Sequence, residues 1–120
     1  MKRILTVDDS RTMRDMLLHT LTAAGYEVVQ AIDGEDGVRV LDEQGFDVII
    51  TDINMPKMDG YGFIEYCRRD DGYRSTPILV LTTETSREKR ERAREAGATG
   101  WIVKPFDPQR LTEIIERVAR

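Results

Sequence analysis

The sequence predicts an α/β fold, a doubly wound parallel sheet with helices on both faces, built as one domain over residues 1–120. Three observations carry that prediction. Five short β-type runs alternate with five segments of helical spacing. Most of the runs are continuously apolar rather than alternating, as parallel strands covered on both faces must be. Capping and breaking residues stand at the junctions between segments.

The first strand runs from Arg3 to Val7 and stops at Asp8-Asp9. Ser10 or Asp9 caps the first helix, and Met13, Met16, Leu17, Leu21 and Ala24 form its buried stripe before Gly25 ends it. The second strand, Glu27 to Ile32, leads into a helix from Gly34 to Gln44 that ends at Gly45. The third strand, Asp47 to Thr51, brings Asp52 to its tip and gives way to the turn-rich stretch NMPKMDG. A third helix starts near Asp59-Gly60 and buries Phe63, Ile64 and Cys67. The fourth strand, Pro77 to Leu81, ends in Thr82, and Thr85-Ser86-Arg87-Glu88 opens the fourth helix as a capping box, with Gly97 as its stop. The fifth strand, Gly100 to Val103, is followed by Lys104-Pro105. Asp107-Pro108 starts the fifth helix, whose Leu111, Ile114, Ile115 and Val118 keep helical spacing. That pattern runs to Arg120, so no second domain is expected.

Composition narrows the function classes. The net charge of -4 argues against a general nucleic-acid binder. A lone cysteine, Cys67, excludes an internal disulfide and a Cys-rich metal site, and reads as a small core residue. The apolar run after Met1-Lys2-Arg3 meets Asp8 too soon for a signal peptide or a membrane span, so a cytoplasmic protein is expected. His19 lies off the apolar stripe of the first helix and reads as solvated.

Open α/β sheets place their sites beyond the carboxyl ends of the strands. Four of the five strands send a polar group there: Asp8-Asp9, Asp52, Thr82 and Lys104. The second strand sends none and suits an edge. Singly, each residue has a plainer use, as a helix cap, a turn former or a surface lysine. Together they make a site. Clustered carboxylates repel one another, and a divalent cation relieves that; oxygen ligands select Mg²⁺ or Ca²⁺ over zinc. Lys104 supplies a compact positive charge for a phosphate oxygen or an Asp, and Thr82 a hydroxyl donor. This set suits phosphoryl transfer, with an aspartate able to hold an acyl phosphate. The sequence has no nucleotide-binding glycine loop, so the phosphoryl group comes from a partner or a small phosphodonor.

Asp8-Asp9, Asp52-Ile53-Asn54-Met55-Pro56-x-Met58-Asp59-Gly60, Thr82 and Lys104-Pro105-Phe106 together resemble the response-regulator receiver domain over essentially the whole chain. The resemblance implies a flavodoxin-like (βα)5 fold with strand order 2-1-3-4-5. It implies that a histidine kinase phosphorylates Asp52, that Asp9, Asp52 and the backbone carbonyl of Asn54 bind Mg²⁺, and that Asp8 contributes through water. Lys104 then holds one phosphoryl oxygen and Thr82 moves to bind another. The Lys104-Pro105 bond is implied to be cis, which only X-Pro bonds adopt cheaply. Asn54 and Glu84 take the positions that tune dephosphorylation, and this pair implies a short-lived phosphoryl group.

The chain is most similar to the stand-alone receivers of chemotaxis. That implies a two-state switch with a flagellar motor component as target, bound through the face of the fourth helix, fifth strand and fifth helix. Two features depart from that pattern. Trp101 stands where the family often has a switching Tyr or Phe. In the fourth helix, Arg87, Lys89, Arg90, Arg92 and Arg94 alternate with Glu88, Glu91 and Glu95, and Arg90-Glu91 replaces an apolar pair. A solvated charge face is the plainer reading of that helix; as an output face it is more electrostatic than usual. A phosphate sink or relay without a motor target is the alternative within the family. A Mg²⁺-dependent phosphatase with an Asp nucleophile is the alternative outside it, but Asn54 stands where its second Asp belongs. An FMN module is disfavoured by the two acids after the first strand.

Overall fold

The computed structural model describes residues 1–119; Arg120, where the last helical pattern was expected to end, lies outside the described residues. Five strands alternate with five helices: β1 (Arg3–Val7), α1 (Arg11–Ala23), β2 (Glu27–Ala31), α2 (Gly34–Glu43), β3 (Val48–Thr51), α3 (Gly60–Arg69), β4 (Ile78–Thr82), α4 (Arg87–Ala96), β5 (Gly100–Val103) and α5 (Pro108–Val118). The strands form one parallel sheet in the order β2-β1-β3-β4-β5, so β2 is an edge as expected.

The two-residue period of a strand splits the core into two layers. Leu5, Val7, Ile49, Ile78 and Val80 point to one face, where Val40, Leu41, Phe63, Ile64, Cys67 and Ala93 from α2, α3 and α4 cover them. Ile4, Val48, Ile50, Leu79 and Leu81 point to the other, against Leu17 and Leu21 of α1 and Leu111 and Ile115 of α5. Burial on both faces is why these strands read as unbroken apolar runs. Cys67 is fully buried as expected, and that burial pushes its thiol up to about 12.

The structure corrects several boundaries. Ile32 lies beyond β2 and is 51% exposed. Asp47 precedes β3, and its carboxylate accepts from the Arg3 backbone N–H at 2.8 Å. Thr82 belongs to β4, and Pro77 does not. On α1 the sheet takes Leu17 and Leu21, whereas Met16 is 43% exposed and Ala24 is exposed. Met16 sits about 100° around the helix from Leu17, beyond the narrow line of contact. Helix α2 ends at Glu43, with Gln44 extended rather than a left-handed Gly45. The Gln44 carbonyl is taken by the Tyr73 hydroxyl at 2.6 Å, a tertiary stop signal. Helix α4 is capped by Ser86, whose hydroxyl accepts from the Lys89 N–H at 3.4 Å, so the box expected from Thr85 and Glu88 does not form. Its end is as expected, with Gly97 at φ 119, in the region that favours glycine.

At the amino end of the sheet, one cation ties the loops together. Arg68, at the end of α3, donates to the carbonyls of Gly97, Tyr73, Arg74 and Thr76 at 2.7 to 3.2 Å. The Tyr73 hydroxyl also donates to the Leu41 carbonyl at 2.8 Å.

Candidate functional site

The sheet itself aims the site residues. Asp8 and Asp52 each stand one residue past a strand, yet their N–H groups still donate across the sheet, to the carbonyls of Ala31 at 3.1 Å and Val7 at 3.0 Å. The Lys104 N–H likewise donates to the Thr82 carbonyl at 2.8 Å. Three strand tips are thus held by ladder bonds rather than by free loops, so their side chains start from fixed backbones.

Those side chains converge. The Lys104 ammonium donates to Asp8 Oδ2 and to Asp52 Oδ2, both at 2.8 Å. The other oxygens are also engaged: Asp52 Oδ1 accepts from the Ile53 N–H at 2.6 Å and Asp8 Oδ1 from the Ser10 N–H at 2.9 Å. Arg14 donates to the Asp8 carbonyl at 2.8 Å. Carboxylate oxygens of Asp8, Asp9 and Asp52 all lie within 4.8 Å of one another. Asp8 is 2% and Asp52 7% exposed, while Asp9 is open to solvent.

Burial pushes the Asp8 carboxyl up from its ordinary value; Lys104 and the Ser10 N–H oppose this, and the Asp52 charge adds to it. Burial also works against the Lys104 ammonium, but its hydrogen bonds to Asp52 and Asp8 and their charges prevail and raise its pKa. Two carboxylates on one ammonium, with a third beside them, leave an excess negative charge in a largely buried cleft. Such an all-oxygen set fits a small hard dication, with exposed Asp9 on the open side where water completes a coordination shell.

The remaining expected residues divide. Thr82 is wholly buried at the end of β4, and its hydroxyl accepts from the Glu84 N–H at 3.3 Å. The exposed Asn54 donates through Nδ2 to Glu84 Oε1 at 2.9 Å, so the two expected tuning positions touch. The Lys104-Pro105 bond is cis. Trp101 is half-buried opposite Val80 and lines a groove of about 480 Å³ with Thr85, Arg87, Arg90 and Arg94 of the α4 region. The groove is not the acidic cleft, and among its lining residues only Trp101 is a large apolar side chain.

Two contributors escaped the sequence reading. Gly60 donates its N–H to the Ile53 carbonyl at 2.8 Å, and a Cβ there would stand 2.2 Å from the Asp52 carbonyl oxygen. The glycine lets α3 start hard against the backbone that carries Asp52. Lys57 takes a left-handed φ of 68, closing a turn in which the Met58 N–H donates to the Pro56 carbonyl at 2.8 Å. The glycine was legible as a helix start but its close approach was not, and nothing in the sequence marks Lys57.

Known proteins are similar to this chain in sequence and in fold. The chemotaxis protein CheY1 of Helicobacter pylori (strain J99) is 41% identical over 118 residues, covering 97% of this chain and 95% of that one. The structure of the chemotaxis response regulator CheY4 of Vibrio cholerae superimposes with a TM-score of 0.93 at 49% identity, over 98% of each chain. A receiver domain of a sensor histidine kinase from Pseudomonas aeruginosa, with a magnesium ion coordinated in its active site cleft, is 30% identical with a TM-score of 0.92, over 98% of this chain and 97% of that one. Residues 4–116 match the response regulator receiver domain, and with the strand order and the acidic rim in agreement, the chain belongs to that family.

Proposed function

We propose that this chain is a phosphorylation-activated chemotaxis response regulator of the cytoplasm, with Asp52 as phosphoacceptor. The observation that carries this reading is the lysine bridge from Lys104 to Asp52 and Asp8 inside the carboxylate cluster. An Asp52 carboxylate oxygen attacks the phosphorus of a phosphohistidine on the kinase partner. The P–N bond breaks, and the imidazole nitrogen keeps the electron pair and takes up a proton. Lys104 then follows the charge from the carboxylate to a phosphoryl oxygen, and Thr82 moves so that its hydroxyl donates to another. Asp9, Asp52 and the Asn54 carbonyl would hold Mg²⁺, with Asp8 acting through water; when bound, the ion neutralises charge and orients the phosphoryl group. The new charge on Asp52 biases Thr82, Trp101 and the face of α4, β5 and α5, through which the regulator binds a target such as a flagellar motor switch component.

The test is intact mass after incubation with acetyl phosphate, with and without Mg²⁺, on wild type and Asp52→Ala. A Mg²⁺-dependent gain of one phosphoryl group, lost in the variant, is expected. A gain that survives Asp52→Ala would remove Asp52 from its role. Capture of motor switch protein by the beryllofluoride-treated form separates a motor regulator from a phosphate sink.

A further inference from the structure

Glu84 lies in the segment between β4 and α4 and is bound at three points. Its N–H donates to the Thr82 hydroxyl at 3.3 Å. Its Oε1 accepts from Asn54 at 2.9 Å, and its Oε2 pairs with the Lys89 ammonium at 3.0 Å. The Asn54 and Lys89 contacts hold its carboxyl below the usual range. Lys89 sits in the first turn of α4, and its own carbonyl accepts from the Tyr61 hydroxyl at 3.4 Å. A chain of polar contacts therefore runs from Asn54, two residues after Asp52, through Glu84 to α4.

We infer that Lys89 is a positioning residue for phosphoryl transfer to Asp52: it pins Glu84 against Asn54 and cancels its charge at the mouth of the acidic cleft. The inference rests on Asp52 being the phosphoacceptor. The ion pair is partly solvated, so it adds little to stability. Its consequence is electrostatic. The cleft already carries excess negative charge, and a phosphodonor is itself an anion. A free Glu84 carboxylate at the rim repels that donor, whereas the pinned and paired one does not. The bridge also gives α4, the helix that borders the Trp101 groove, a direct hold on the rim of the cleft.

The experiment is a double-mutant cycle over wild type, Lys89→Met, Glu84→Gln and the double variant, with Lys89→Arg as the conservative control. The rate of modification by acetyl phosphate with Mg²⁺ is read by intact mass at low and high salt. Lys89→Met is expected to slow modification by roughly fivefold at low salt, the scale of one close charge pair in water-like surroundings. The deficit should shrink at high salt, vanish in the Glu84→Gln background, and be absent in Lys89→Arg. Equal slowing in both Glu84 backgrounds, or no slowing at all, overturns the inference and leaves Asp52 untouched. Wild type unmodified on Asp52 would overturn the phosphoacceptor reading and this inference with it.

Discussion

At the amino end of the sheet, Arg68 donates to four main-chain carbonyls, while at the carboxyl end Asp8, Asp9 and Asp52 bring carboxylate oxygens within 4.8 Å of one another and Lys104 bridges two of the three. Both ends hold half-buried or buried charge, but they treat it differently. The guanidinium meets fixed neutral acceptors and ties the loop after α3 to the approach to β5. Burial lowers its pKa from a value so high that it stays cationic. The carboxylates meet each other beside Lys104, and burial, with a smaller push from the Asp52 charge, shifts Asp8 toward its neutral form. Charge satisfied by the backbone contributes stability; like charges held together cost stability and stay available for chemistry.

Changes at the two ends should separate stability from chemistry. The largest effect belongs to Asp52→Ala, which should abolish modification by acetyl phosphate while leaving the urea midpoint unchanged or higher, since one repelling carboxylate is gone. A large loss of stability in that variant would erase the contrast. Arg68→Ala should do the reverse. It strands four carbonyls and should cost about 2–4 kcal/mol in urea unfolding, with the modification rate of folded protein within about twofold of wild type.

Gly60→Ala sits between these cases, because it strikes the backbone that carries the site. The added Cβ meets the Asp52 carbonyl at 2.2 Å, so something must shift. A cost of about 1–3 kcal/mol is expected, together with slower modification, because Asp52 moves with its backbone. Wild-type kinetics in that variant would show that the close approach does not aim Asp52.

The smallest effect sharpens the contrast with a carboxylate whose partners outweigh its burial. Burial pushes the Asp36 carboxyl up, but hydrogen bonds from Arg39 and the Ile32 N–H, and the charges of Arg39 and Arg14, outweigh it and leave the pKa lowered. With the folded value below the unfolded one of about 4, its contribution is complete above that pH and fades as pH falls through the folded value. Asp36→Asn should therefore flatten the loss of stability below about pH 4 and cost under about 1 kcal/mol at pH 7. A slope unchanged by the substitution would deny Asp36 this part in acid unfolding.

Much of this was legible in the chain. Unbroken apolar runs marked β3 and β4 because both sheet faces are covered there, and Ser10, Asp59, Asp107 and Gly97 marked helix ends because local caps need only local residues. The misses are tertiary. Met16 reads as stripe, but the line of contact on α1 is too narrow to reach it. Gly45 reads as a stop, but Gln44 already leaves the helix, its carbonyl held by Tyr73. Arg68 reads as surface charge because its acceptors are backbone carbonyls, which no side-chain pattern reveals.

By itself the sequence determined which groups reach one rim. Parallel strands all end on the same side, so the residue after each apolar run shares that edge whatever the neighbours are. Only the tertiary structure decided which of those groups touch. Lys104 meets Asp8 across 96 residues of chain and Asp52 across 52, leaving Asp9 open to solvent, because sheet order and crossover packing set those contacts. Likewise, only packing let Gly60 press against the Asp52 carbonyl and Asn54 reach Glu84 across 30 residues, since neither distance follows from spacing along the chain.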